Sequence, residues 1–390
     1  MKSHGITASL LLAASVLIAA PQAGAAEIDL PRDISWTAFG TSSSGYAQSV
    51  GIGQMLKSKY DVDLRIIPGE NDIERMVPLR AGQSDICACG IASYFAQEGV
   101  QMFAAKAWGP QRLYNLFNNV GINGQTAAVA ADVGVKTIAD LKGKRIAWIK
   151  ASPGNNMNMT AFLAFGGLTW DDVEKVEVPG VQQSLDAILN DQVDAAWAST
   201  LTGTLNQIAA SPRGLYYPPM PKDDTAGWER AHAIAPWFAP VLVQSFIKAT
   251  GVEEPFEGMN YPYPLFVASP DIDDAVAYGL TAAILGNFDA IKEAGPSMEG
   301  YAIDRQLLSY VFPYHPQSIA YFKEQGLWTE DDEQRNAELL RRQDILAAAW
   351  EKMSGMNVAE ADFEAEWMKL RAASLTDAGL HVVFEADASN

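Results

Sequence analysis

Phe39-Gly40-Thr41-Ser42-Ser43-Ser44-Gly45-Tyr46 closes a short apolar run and opens a segment with helical periodicity. Ile52, Met55, Leu56 and Lys59 fall at helical spacing in that segment, and the first three are apolar. A joint, Ala81-Gly82-Gln83-Ser84-Asp85-Ile86-Cys87, places Asp85 45 positions after Gly40. The plan then recurs. Arg145-Ile146-Ala147-Trp148 leads into Ile149-Lys150-Ala151-Ser152-Pro153-Gly154-Asn155-Asn156 and a second helical pattern. Its joint, Leu189-Asn190-Asp191-Gln192-Val193-Asp194-Ala195-Ala196, places Asp194 44 positions after Lys150. Loop, helix and joint repeating in order predict two similar α/β lobes with a ligand cleft between them.

Working outward, residues 34–39 read as a strand and the helix after them runs to about residue 59. Residues 63–67 alternate as a strand, Pro68-Gly69 breaks it, 72–81 read as a short helix and 85–89 as a third strand. This β-α-β-α-β order implies a parallel sheet whose loops gather at the carboxyl ends of the strands. Residues 125–130 are taken as the first crossing between lobes. In the second half, 145–149 and 195–198 read as strands, and 157–165 and 201–210 as helices. Val181, Leu185, Ile188 and Leu189 mark a further helix with one apolar face. Residues 261–268 form the return crossing; Pro262 and Pro264 require an edge strand there or one that begins only at Leu265. Beyond residue 271 the pattern is helical almost to the end, with Trp328, Trp350 and Trp367 as packing residues, and Asp331, Asp332, Glu333 and later acids mark the tail as a solvated helical annex.

With 390 residues, 48% hydrophobic and 19% charged, the chain has enough apolar surface for two ordinary cores. Lys2, an apolar run at 6–20 and Ala23-Gly24-Ala25 make the first 26 residues a cleavable signal peptide, with the mature protein starting near Ala26 or Glu27. That run is too short to span a membrane comfortably, and no later stretch is long enough. The expectation is an exported, periplasmic protein with no membrane span in its mature form. A formal net charge of −19 repels nucleic acid and anionic lipid, so neither is an expected partner. Cys87 and Cys89 point to one face of a strand, with Cα atoms near the upper limit for a disulfide, and are expected to be buried free thiols. His4, His232, His315 and His381 show no recognised ligand spacing, so no metal or cofactor is expected.

The collected residues resemble the TAXI-type solute receptors of tripartite ATP-independent periplasmic (TRAP) transporters over about residues 34–326. The motifs occur in family order: the loop Gly40 to Tyr46; Gly82-Gln83-Ser84-Asp85-Ile86 with Tyr94-Phe95-Ala96-Gln97-Glu98-Gly99; Asp140-Leu141-Lys142-Gly143-Lys144; Gln192-Val193-Asp194-Ala195-Ala196-Trp197; and Tyr314-His315-Pro316. Departures are Gly90 where the family often has Gln, the Lys150–Asn156 loop, and Gln317-Ser318 after His315-Pro316. The resemblance implies a periplasmic-binding-protein-like type II fold: α/β, two lobes around a ligand cleft, with a helical C-terminal extension. Residues 27–128 and 266–390 would form lobe 1, with the extension from about 328, and 129–265 lobe 2. It implies a non-enzymatic receptor that captures a small organic anion, such as a carboxylate or glutamate, and delivers it to a TRAP permease.

For the site, the helices after Ser44 and Asn155 leave N–H groups unpaired at their starts, where the helix dipole favours an anion by about 0.3–1 kcal/mol. Thr41, Ser42, Ser43, Ser44, Ser152, Asn155 and Asn156 offer neutral hydrogen bonds, Tyr46 a ring and hydroxyl, and Lys150 a loop cation. Gly90, Ile91, Ser199 and Thr200 follow strands that end at the cleft, and Gly90 leaves room for a larger ligand group. Three alternatives share the residues: a receptor for an ABC importer of a sulfonate or nitrate-like anion, a sensor subunit, and an exported hydrolase using Ser43 or Ser152. The last lacks a Gly-x-Ser-x-Gly elbow and an evident histidine partner.

Overall fold

The computed structural model describes residues 28–250 and 252–384, in which two mixed sheets form two lobes. The expected signal peptide and its cleavage point lie outside the described residues. Lobe 1 begins with β1 (Asp33–Phe39), α1 (Ser44–Tyr60), β2 (Asp63–Gly69), α2 (Asp72–Arg80), β3 (Ile86–Cys89), α3 (Ala92–Glu98) and β4 (Tyr114–Asn118). Lobe 2 contains β5 (Gln125–Ala130), β6 (Arg145–Ile149), α4 (Pro153–Phe165), β7 (Glu174–Val178), α5 (Val181–Leu189) and β8 (Ala195–Ser199). It continues through α6 (Leu205–Ala210), β9 (Leu215–Tyr216), α7 (Thr225–Ile234), β10 (Ala239–Val243) and β11 (Phe256–Asn260). The chain then returns to lobe 1 with β12 (Leu265–Ala268), α8 (Asp274–Gly286), α9 (Phe288–Ile291), α10 (Pro316–Glu324), α11 (Glu330–Ser354) and α12 (Phe363–Asp377).

The sheet orders are β2-β1-β3-β12-β4 and β10-β11-β5-β8-β6-β7, with β9 beside β5. This is the two-lobed type II α/β fold. β1, β2 and β3 are parallel, as are β6, β7 and β8, but β12 and β5 run antiparallel to their neighbours β3 and β8. The reason is the direction of entry. A strand arriving from the other lobe starts at the cleft and runs away from it, opposite to strands that end there. Residues 125–130, read from sequence as a crossing, are therefore a strand inside the second sheet, and the chain passes between sheets at 119–124 and 261–264. β12 begins at Leu265, which keeps Pro262 and Pro264 out of the ladder.

The repeated joint has one physical cause in both lobes. Asp85 Oδ2 accepts from the Ser35 backbone N–H at 3.0 Å, and Asp194 Oδ2 from that of Arg145 at 2.9 Å. Each aspartate thus satisfies a donor at the start of the neighbouring parallel strand, where no ladder partner exists. Beneath the sheets, Trp36, Ile52, Leu56 and Phe266 pack in a lobe 1 core, while a larger cluster runs from Phe39 and Phe95 to Phe162 and Trp197 across both lobes.

Two expectations are corrected here. Cys87 and Cys89 are joined by a disulfide, not free: their Cα atoms lie 5.1 Å apart, well inside the bridging range rather than at its limit. The C-terminal extension is not simply a solvated annex. Asp331, Asp332 and Glu333 do face solvent or its edge, but the inner face is anchored on α3. Glu98 Oε1 and Oε2 accept from Arg342 at 2.7 Å each, and Oε2 also accepts from Arg371 at 2.5 Å. Trp367, fully buried, donates to the Gly99 carbonyl at 2.6 Å and stacks edge-on with Trp350.

His315, only 3% exposed, caps α10 by accepting at Nδ1 from the Gln317 N–H at 3.2 Å. Burial pushes its pKa below the ordinary 6.5, with Asp274 opposing weakly from 3.7 Å. The unfolded chain therefore takes up this proton first, so stability holds above pH 6.5 and falls below it, by at most about 1.4 kcal/mol per pH unit. Replacing His315→Asn keeps a capping oxygen and should flatten that part of the melting-temperature profile between pH 7 and pH 5.

Candidate ligand site between the lobes

The lobes meet through hydrogen bonds between the loops that follow their strands. Ser42 O accepts from the Gly203 N–H at 2.8 Å, Glu70 O from that of Val181 at 3.1 Å, and Ala151 O from that of Ile73 at 3.4 Å. The Ser42 hydroxyl also contacts the Gln182 side-chain oxygen, which accepts from Thr204 at 3.0 Å. Deeper in, Asp72 Oδ2 accepts from Gly154 N at the start of α4, at 2.8 Å. The place that sequence gave to a ligand anion at this helix is thus filled by the protein's own carboxylate. Pro153, with its preset φ and missing N–H, starts α4 earlier than expected, so Asn155 and Asn156 lie in its first turn.

Asp72 and Arg75 form a 2.5 Å ion pair in which each side chain is 1% exposed. Burial pushes the Asp72 carboxyl up, opposed by Arg75, the Gly154 N–H and the Ser152 hydroxyl. The Arg75 guanidinium lies 3.4 Å from the centroid of Phe39, whose ring is 6.2 Å from Trp197 of lobe 2 and 6.3 Å from Tyr263 of the return crossing. Tyr261 lies beside this group, its hydroxyl close to the Asn158 amide and the Ile91 N–H. Gln125, the first residue of β5, is paired with Ser199, and Trp197 lies two residues along the same face.

These side chains keep unused donors and acceptors. Arg75 Nε, both amide atoms of Gln125 and Trp197 Nε1 are buried without a hydrogen-bond partner among the described residues, and Asn158 has only the Tyr261 hydroxyl beside its amide. Each such group costs about 1–3 kcal/mol when left unpaired. A protein tolerates them together where a polar ligand or ordered water completes them. Arg75 supplies positive charge, the two amides supply both donors and acceptors, and Phe39, Trp197 and Tyr263 supply ring walls.

The sequence candidates divide around this cluster. Ser44, Gly90, Ile91, Ser152, Asn155, Asn156, Ser199 and Thr200 are buried near the interlobe surface. Several already have structural duties: Ser43 caps α1, Asn156 bonds both backbone groups of Ile149, and Thr200 accepts from Gly124 and donates to Ser245. Ser199 accepts from Asn123 at 3.2 Å, and Ser152 from Asn155 at 3.1 Å. Thr41 is exposed, and Tyr46 packs against the lobe 1 core. Lys150 turns outward to Glu177 at 3.0 Å, because that places its charge in water beside a partner. The room expected at Gly90 is taken: a Cβ there would lie 3.2 Å from the Tyr261 hydroxyl. Sequence reasoning missed Asp72, Arg75, Gln125, Asn158 and Trp197. The available signal was Asn71-Asp72-Ile73-Glu74-Arg75 directly after a strand end, which puts a cation in the first turn of a helix facing the cleft.

Gly154 sits at a close approach of the two lobes. An added Cβ would lie 3.0 Å from Asp72 Oδ2 and 3.1 Å from the Ala92 backbone nitrogen. Gly154→Ala should therefore hold the lobes apart by a few tenths of an ångström and weaken ligand affinity about tenfold through the lost Asp72 bond. Titration calorimetry beside the unchanged far-ultraviolet spectrum would check it.

The profile of the NMT1-like family matches residues 37–326, about three-quarters of the chain. No curated protein matches. Among solved structures, a protein of Bordetella bronchiseptica RB50 shares 16% identity, covering 90% of this chain and 98% of its own, with a TM-score of 0.43. The alkanesulfonate-binding protein SsuA from Xanthomonas axonopodis pv. citri bound to MOPS shares 15% over 77% of this chain and 95% of its own, TM-score 0.42. The periplasmic aliphatic sulphonate binding protein SsuA from Escherichia coli shares 15%, with 90% and 89% covered and a TM-score of 0.40.

Proposed function

The chain belongs to the NMT1-like family, and from this premise we propose that it is a periplasmic solute receptor that captures a small organic anion between its lobes. One observation carries the reading: Arg75, Gln125 and Trp197 bury unpartnered polar atoms around one interlobe cluster. Arg75 holds the anionic group, Asn158 and Gln125 orient it, and Phe39, Trp197 and Tyr263 exclude water. Ser42, Ser44, Ser152, Asn155 and Ser199 add hydroxyl or amide contacts at the rim. The protein binds and releases its ligand unchanged, without a cofactor. No helix of the described residues is long and apolar enough to cross a membrane, and delivery in this reading is to a separate permease. The ordered motifs that resemble TAXI receptors favour a TRAP-type permease as that partner. An ABC importer would use the same cleft, and co-purification with one or the other set of membrane subunits distinguishes them.

The direct test is a thermal-shift screen of residues 27–390 against carboxylates, amino acids, sulfonates and sugars. A true ligand at a hundred times its Kd adds about 2.7 kcal/mol of stability. A small carboxylate that shifts the melt and is recovered unchanged supports the reading; a response to neutral sugars alone refutes the Arg75 assignment.

A further inference from the structure

A cavity of about 280 Å³ opens between the lobes beside Ser152 and Pro153. Gln101 and Met102 of lobe 1 form one wall, and Trp148, Ser152, Met157 and Trp170 of lobe 2 are among those that form the other. None of its lining side chains carries a charge. The two indoles stand edge to face at 4.9 Å, and Trp170 is fixed by donating Nε1–H to Thr160 Oγ1 at 2.8 Å. Met102 is 43% exposed and brings a flexible, polarizable side chain to the mouth of the cavity. Gln101 and Ala151, on opposite walls, both have φ of 54°, the left-handed region that residues other than glycine rarely adopt. Residues in this region gather at ligand clamps and active sites, and here one stands on each wall of the same cavity.

Ser152 joins this cavity to the charged cluster. It lines the cavity, and its hydroxyl lies beside the Asp72 carboxylate that pairs with Arg75. We propose that the cavity receives a flat aromatic group of the ligand, making the ligand class an aryl-substituted organic anion with its charged end toward Arg75. The statement of class rests on the anion reading above; the aromatic pocket does not. Its walls suit a ring, since edge-to-face indoles, methionine sulfur and methyl groups offer polarizable contacts without demanding hydrogen bonds. Because the walls come from different lobes, the ring is enclosed only when the lobes close.

The test uses three probes, acetate, indole-3-acetate and neutral indole, titrated calorimetrically into the wild type, Trp170→Ala and Met102→Glu. Indole-3-acetate should bind at least about tenfold tighter than acetate, and each variant should erase most of that gain while leaving acetate unchanged. Met102→Glu alters an exposed residue and guards against a folding defect in Trp170→Ala. Equal affinity for the two acids, unchanged indole-3-acetate binding in both variants, or no binding of any probe overturns the aromatic pocket. Failure of the anion reading looks different: Arg75→Gln would leave both acids unaffected, while neutral indole would still bind and still be lost in Met102→Glu.

Discussion

Glu98→Gln should destabilise the protein by about 3–5 kcal/mol, a large share of what holds a folded protein together. The carboxylate is fully buried, and so is Arg371; Arg342 is nearly so. Although burial raises the Glu98 pKa, hydrogen bonds and charge from Arg342 and Arg371 hold it below its ordinary 4.5. Removing the anion leaves two guanidiniums side by side in a dry interior, with no route to water for Arg371. Urea unfolding should show the loss. The sign with pH follows from the lowered value: this stability is present above pH 4.5 and is lost as pH falls through the folded-state pKa. A triple variant, Glu98→Leu with Arg342→Met and Arg371→Met, should recover most of the loss, because isosteric apolar packing removes the desolvation cost along with the attraction. If Glu98→Gln alone is neutral, α11 and α12 are held by Trp367 and apolar contacts, and the ion triad contributes nothing net.

Arg75→Gln should reduce anion affinity by more than about a hundredfold, since a buried charge-assisted contact contributes about 1.5–3 kcal/mol and the lost positive potential adds to it. The single variant also strands Asp72, so a fall in stability accompanies the fall in binding. The double variant Asp72→Asn with Arg75→Gln separates the two effects. It has no buried charge to strand and should melt near the wild type, yet still fail to bind the anion. Arg75→Lys should recover only part, because an ammonium keeps the charge but not the planar stacking over Phe39. Calorimetric titration with whichever anion the thermal-shift screen identifies measures all three. Full affinity in the double variant would move the anion away from Arg75.

Most of the fold was legible because its signals are local. Ile52, Met55 and Leu56 at helical spacing put α1 in place, and the two Asp joints mark where parallel strands lie together. What depends on distant chain was not legible. Whether residues 125–130 bridge lobes or join a sheet is decided by β8, some seventy positions later. The disulfide was misjudged because ideal strand spacing overestimates the Cys87–Cys89 separation. The candidate site was read from loops, where small polar residues stand out. Arg75, Gln125, Asn158 and Trp197 sit inside regular elements instead, where periodicity assigns them to a face but not to a neighbour. Lys150 shows the converse: a cation in the expected loop is drawn to Glu177 at the surface, as solvation favours.

The two short passages between the sheets feed β5 and β12, and each of those strands lies in the interior of its sheet, bonded on both edges. The passage at 119–124 leaves lobe 1 from the edge strand β4, but both passages deliver the chain into an interior strand. A torque carried by either passage enters the receiving sheet at an interior plank and spreads through the ladder on both sides, so that lobe swings as a stiff board. With six residues in one passage and four in the other, there is little slack to absorb a twist. Adding a residue to either joint would change the angle at which the boards meet, and so the shape of everything caught between them, without altering a single contact inside either lobe.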